Sequence, residues 1–98
     1  MADPSGNVGK NTYMSYDVYL NMRRSVQYYN LGLKDQAAGL LASAGQNYFM
    51  ALGLNPYDVD SKAAINYMIN NLPFTADMCI TAKIDANAEL KKCGFCRR

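Results

Sequence analysis

Histidine is absent from this 98-residue chain, which removes the side chain most used as general base, proton shuttle and neutral metal ligand. The eight acidic residues are scattered rather than paired at a recognisable spacing, so the sequence predicts no active site and no enzyme. Cysteine is scarce as well, with only Cys79, Cys93 and Cys96. A closed zinc site usually takes four ligands from Cys and His, and on a continuous helix Cys79 lies about 21 Å before Cys93 at 1.5 Å per residue. The three thiols of one chain therefore do not converge, and no metal or other cofactor is expected. Long apolar runs are also missing: none approaches the roughly 18 residues that span a bilayer, so no transmembrane segment is predicted. The opening Met1-Ala2-Asp3-Pro4-Ser5-Gly6 has neither the basic region nor the apolar stretch of a signal peptide. A cytoplasmic location is favoured where Met1 is the native start, and the compartment is otherwise open. Nor does any segment alternate apolar and polar residues with β-branched enrichment, which excludes a strand-based fold.

What remains is an ordinary globular composition, half apolar and 18% charged, in a length that allows one domain with a modest core and no deep cleft. Three parts are expected: a flexible polar arm over residues 1–12, a helical domain over 13–92 and a basic tail over 93–98. Charge divides along the same lines. Residues 1–90 hold six basic side chains and all eight acidic ones, whereas Lys91, Lys92, Arg97 and Arg98 place a charge of +4 at one end. A nucleic-acid binder spreads positive charge along a face so as to meet several phosphates, so a nucleic-acid partner is disfavoured. The arm contains Gly6-Asn7-Val8-Gly9-Lys10-Asn11-Thr12, but the glycine spacing and the missing strand before it exclude a phosphate-binding loop.

The helical domain reads as an all-α bundle of about four short helices. Tyr19, Met22, Val26, Tyr29 and Leu33 recur at three and four residues, which lays them along one face of a first helix over residues 15–30, while Asn21, Arg23, Arg24 and Gln27 point elsewhere. Gly32 is the expected C-terminal cap. A second helix, 35–52, opens at Asp35 and carries Ala37, Leu41, Ala44, Tyr48 and Ala51 on one stripe. Its small residues predict close approach of a neighbouring helix, because interior glycine otherwise costs about 1 kcal/mol relative to alanine. Asp58 or Asp60 caps a third helix with Ala64, Ile65, Met68 and Leu72 inward; Pro73 ends it. Thr75 caps a fourth, with Cys79, Ala82, Ala86, Leu90 and Cys93 as its stripe. The hairpin joints fall at 31–34, 55–57 and 73–74.

Two features carry what chemistry there is. Cys93-Gly94-Phe95-Cys96 offers a redox or attachment pair, since Lys91, Lys92, Arg97 and Arg98 favour thiolates; its place after a helix differs from the thioredoxin-like arrangement, in which the first cysteine starts a helix. A small thiol-redox or metal-linked module is the reading this pair supports, and a nucleic-acid-associated protein is a further alternative. The second feature is a surplus of eight tyrosines and six methionines, residue types enriched where proteins meet. Tyr13, Tyr16, Tyr19, Arg23, Arg24, Tyr28 and Tyr48, with the four basic residues of the C-terminal end, form the expected interaction surface. The sequence thus points to a non-enzymatic structural or accessory subunit whose partners are other protein subunits, copies of itself included.

Overall fold

Ser15 opens the first helix as an N-cap, its Oγ accepting from the Val18 amide at 3.2 Å, and Asp17 follows in the first turn, where unsatisfied amides favour negative charge. The computed structural model describes residues 15–92. Four helices account for most of them: α1 (Tyr16–Ala37), α2 (Leu41–Leu54), α3 (Val59–Asn71) and α4 (Ala76–Lys92). No strand occurs among the described residues, and none of their helices is long and apolar enough to cross a membrane. The expected arm and the Cys-x-x-Cys tail lie outside the described residues.

The first joint differs from expectation. Instead of ending near Asn30 with Gly32 as its cap, α1 runs to Ala37 with Gly32 buried in its interior. The cap is Gly39, at φ 81°. The Gly39 amide donates to the Gln36 carbonyl at 3.0 Å and the Leu40 amide to the Asp35 carbonyl at 2.8 Å, the paired bonds of a Schellman motif. Asp35 therefore belongs to the last turns of α1 rather than to the start of the second helix. Its Oδ2 accepts from Ser43 Oγ at 2.5 Å and Asn47 Nδ2 at 2.8 Å, tying the end of α1 to α2.

The later joints match their sequence signals. Asp58 caps α3: Oδ1 accepts from the Ser61 amide at 3.1 Å and Oδ2 from the Ser61 hydroxyl at 2.7 Å. The helix ends at Asn71, before Leu72 and Pro73. Thr75 Oγ1 accepts from the Met78 amide at 3.1 Å, ahead of α4.

Packing centres on α2, which meets α1, α3 and α4. One buried cluster unites Ala44 and Tyr48 of α2 with Ile65, Met68, Phe74 and Ala82; a second joins Met50 and Leu54 to Ala86 and Leu90. Ala64, Leu72 and Cys79 pack at the edge of the first cluster. The small residues of α2 do admit close neighbours. A Cβ at Gly45 would stand 2.7 Å from Phe74 Cζ and 3.2 Å from the Ala82 Cβ.

α1 is rotated from its expected orientation, so that of the expected stripe only Tyr29 packs inward, against Tyr48 and the first cluster. Asn21, Ser25 and Gly32 are buried, with Arg24 and Tyr28 half-buried between them, while Tyr19, Met22, Val26 and Leu33 are exposed. The reason is steric and polar at once. Ser25 and Gly32 give α1 a flat side on which α2 can lie closely. The Ser25 hydroxyl sits 3.0 Å from both the Ala51 carbonyl and Asp58 Oδ2, donating its proton to one of them. A larger side chain at 25 would separate α1 from both α2 and the cap of α3.

Candidate interaction surface

With its small and polar face spent on α2, α1 presents its apolar stripe outward. Val26 is 58% exposed, and Val18, Tyr19, Met22 and Leu33 are also exposed. The corner between α2 and α3 adds Tyr57 at 87% and Val59 at 70%. That corner is set by Asn55, whose Oδ1 accepts from the Tyr57 amide at 3.1 Å, and by the bond from the Asp58 amide to the Asn55 carbonyl at 3.0 Å.

Between stripe and corner runs a shallow groove made of three neighbouring clefts, all bordered by Asn55. One, of about 450 Å³, is walled by Val18, Asn21, Met22, Leu54, Pro56 and Tyr57. A second, of about 300 Å³, lies among Tyr19, Met22, Arg23 and Val26. The third, of about 370 Å³, takes in Val26 and Tyr29 on one side and Tyr57, Val59 and Asp60 on the other. Apolar side chains thus meet water over a continuous strip, the kind of surface that folded monomers keep small unless it binds something.

Part of the expected interaction set lies on this strip. Tyr16 and Tyr19 are exposed and stacked, with ring centroids 6.5 Å apart. Arg23 lies over the Tyr19 ring, its Cζ 5.8 Å from the centroid, and its Nη1 donates to the Tyr19 hydroxyl at 3.2 Å, which keeps a long cation beside an aromatic face. Tyrosine and arginine so arranged are common binding anchors.

Other members fall elsewhere. Arg24 is half-buried, and Tyr28 packs against the cluster of Met50, Leu54, Ala86 and Leu90. Lys91 and Lys92 are exposed at the end of α4, and Lys92 pairs with Glu89 at 3.4 Å. Tyr13, Cys93, Cys96, Arg97 and Arg98 lie outside the described residues. Among the described residues no group of three potential metal ligands converges. Met22, Val26, Tyr57 and Val59 were absent from the expected set. The heptad-like spacing of α1 was the only signal for Met22 and Val26, and it pointed equally well to a core face; Tyr57 and Val59 lie outside α1 and had none.

Tyr48 is a correction: it is 0% exposed, in the core and out of reach of any partner. Its hydroxyl donates to Gln36 Oε1 at 2.6 Å, and its ring lies against Tyr29 with centroids 5.9 Å apart. Burial, then the neighbouring Tyr29 and Asp35, push its phenol from 10.0 up to about 12. Between those two values the unfolded chain gives up the proton while the folded chain keeps it, so folding stability falls as pH rises through that window and is unaffected below it. Urea melts of wild type and Tyr48→Phe from pH 8 to pH 12 test this. The stability difference between the two should be level to about pH 10 and then move against the wild type; a difference that stays level throughout would show the hydroxyl to be solvated.

Comparison with protein-family models, with curated proteins and with solved structures found no match for this chain.

Proposed function

We propose that this protein is a non-enzymatic structural or accessory subunit that docks into a larger protein assembly through the outer face of α1. The observation that carries the reading is the rotation of α1, which leaves four of the five residues of its apolar stripe exposed. A helix whose apolar stripe has regular three-four spacing normally buries that stripe, and here Tyr19, Met22, Val26 and Leu33 are exposed while Asn21, Ser25 and Gly32 are buried. The stripe and the Tyr57 and Val59 corner supply apolar area, and the Arg23–Tyr19 pair supplies an oriented polar anchor.

Affinity purification from the native source, run in parallel on wild type and Val26→Glu, tests the proposal together with light scattering on the purified chain. Val26 is more than half exposed, so the variant should keep its helicity and lose at least tenfold in recovered partner. A chain that is a stable monomer and recovers the same proteins with glutamate at 26 as with valine, or none at all, would overturn it.

A further inference from the structure

The first turns of α1 carry a different face, turned toward α4. α1 and α2 run antiparallel, since Ser25 bonds the Ala51 carbonyl and Asn21 shares a cleft with Leu54, the last residue of α2. The turns before Asn21 therefore extend past the end of α2. On them Tyr16 and Tyr19 are exposed, whereas Asp17 and Leu20 are half-buried; Arg24 is half-buried one turn on, and Asn21 is only 2% exposed. Asp17, Leu20, Asn21 and Arg24 fall within about 100° of one another round the helix, on the side where Tyr28 packs against the cluster that Leu90 closes. Asn21 Oδ1 is buried there with no hydrogen-bond partner among the described residues. Buried acceptors are almost always met by a donor, so this face calls for one.

We propose that residues 93–98 of this chain lie along this face, with Phe95 over Leu20 and the guanidinium groups of Arg97 and Arg98 toward Asp17 and Asn21. The course of α4 leads there. Ala82 packs at Gly45 and Leu90 at Gly53, eight residues apart on each helix, so α4 runs parallel to α2 and antiparallel to α1. Leu90 thus stands level with the stretch of α1 between Asn21 and Ser25. Past it the chain accompanies α1 back toward Asp17, about 9 Å further on by helical rise. From Leu90 to Arg98 the chain covers about 12 Å as helix, or about 23 Å with the six residues after Lys92 extended. Either course carries it to the level of Asp17.

Charge and polarity match along that course. Each arginine brings five N–H donors to a face that holds a carboxylate and an unpartnered amide oxygen, and Phe95 brings apolar area to Leu20. Arg24, the like charge on the face, stands level with Leu90 and so lies behind the segment rather than beside its arginines. Lys91 and Lys92 are exposed and leave the face to the residues that follow them. A group arriving from solution competes with a tethered segment whose effective concentration is in the millimolar range. Val26 lies about 180° round α1 from Asp17, so the outer face given the docking role stays uncovered and the two readings stand or fall separately. Cys93 and Cys96 are then held beside α1 instead of extending outward as an attachment point.

Disulfide trapping in the full-length chain is the first measurement. In a Cys79→Ser, Cys93→Ser background Cys96 is the remaining native thiol. Oxidised glutathione should link it to Leu20→Cys within one chain at least about tenfold faster than to Val26→Cys on the opposite side of the helix. Asp17→Lys should slow the first link and leave the second unchanged. Where the cysteine variants fail to fold, nuclear magnetic resonance of the otherwise wild-type chain decides by itself: Phe95→Ala should shift the Leu20 methyl resonances, which lose the ring beside them, and leave those of Val26 in place. Links at 20 and 26 that form at equal rates, links that join only separate chains, or Leu20 methyls indifferent to Phe95→Ala overturn the docking of this segment on α1.

Discussion

Replacing Tyr48 with alanine is expected to remove about 4 kcal/mol of folding stability, within the range seen when a buried aromatic is truncated. The side chain is completely inaccessible and stands where α1, α2 and the first buried cluster meet. On one side its ring rests over Gly32, with a Cβ built there falling 2.5 Å from Cε1. On another it faces Tyr29, an aromatic pair worth about 1 kcal/mol beyond the area it buries. The hydroxyl end is held by Gln36 at 2.6 Å. Truncation deletes all three sets of contacts, and the flat Gly32 surface offers no atoms to move into the space. A domain of this size has roughly 5–15 kcal/mol in total, so the variant should melt at least about 15 °C lower and be partly unfolded under mild denaturant. Tyr48→Phe keeps the ring and loses one hydrogen bond, a change of about 1 kcal/mol. Tyr16→Ala, at an exposed position, should stay within about 0.5 kcal/mol of wild type. Chemical denaturation of the three variants orders them; a Tyr48→Ala loss below that of Tyr48→Phe would place the ring outside the core.

The sequence was most legible where a cap, a stop and an apolar stripe agree. For α3 and α4, Asp58, Pro73 and Thr75 mark the ends, while Ile65, Met68, Ala82, Ala86 and Leu90 fall on the faces their spacing assigns them. For α1 the same kind of reading gave the period and the wrong phase. Two of its faces, about 120° apart at 3.6 residues per turn, both repeat at three and four residues: Tyr19, Met22, Val26 and Leu33 on one, Asn21, Ser25, Tyr28 and Gly32 on the other. Apolar content favours the first as the core face. What decides for the second is close approach to α2 and the hydroxyl of Ser25 between Ala51 and Asp58, residues 26 and 33 positions away, which no local window contains.

The candidate surface was legible to the same degree. Tyr16, Tyr19 and Arg23 stood out as surplus aromatic and cationic area, and they lie on the exposed strip. Met22, Val26 and Leu33 were assigned to the core by the same phase error that hid the strip. Tyr48 was misplaced because eight tyrosines look alike in composition, and what separates it from the others is the space that Gly32 and Ala44 leave for one ring. Gly32 and Gly39 were confused for a related reason. Either can end a helix, and only the tertiary packing shows that one is kept for its missing side chain and the other for its backbone angle.

Gly32→Ala turns that distinction into a change of sign. In an ordinary helix interior alanine is more stable than glycine by about 1 kcal/mol. Here the new methyl would stand 2.5 and 2.6 Å from Tyr48 Cε1 and Cδ1, and 3.0 Å from Cζ, all atoms of a ring fixed by Tyr29, Gln36 and the surrounding cluster. Relief requires moving α1 away from α2 or turning the ring off its rotamer, an overpacking penalty of about 1–3 kcal/mol or more at such short separations. The expected net loss is about 2 kcal/mol. The two sites share the clash, so their effects should not add. In a Tyr48→Ala background the obstacle is gone, and the same Gly32→Ala substitution should stabilise the protein by up to about 1 kcal/mol, its helical preference restored. Gly39→Ala provides the contrast. Nothing lies within 4 Å of a Cβ built there, and the strain comes from φ +81°, so its loss of about 1–2 kcal/mol should be the same whether residue 48 is tyrosine or alanine. A double-mutant cycle in urea reads all of these differences, and a Gly32→Ala effect of equal sign in both backgrounds would refute the close approach of α1 to the Tyr48 ring.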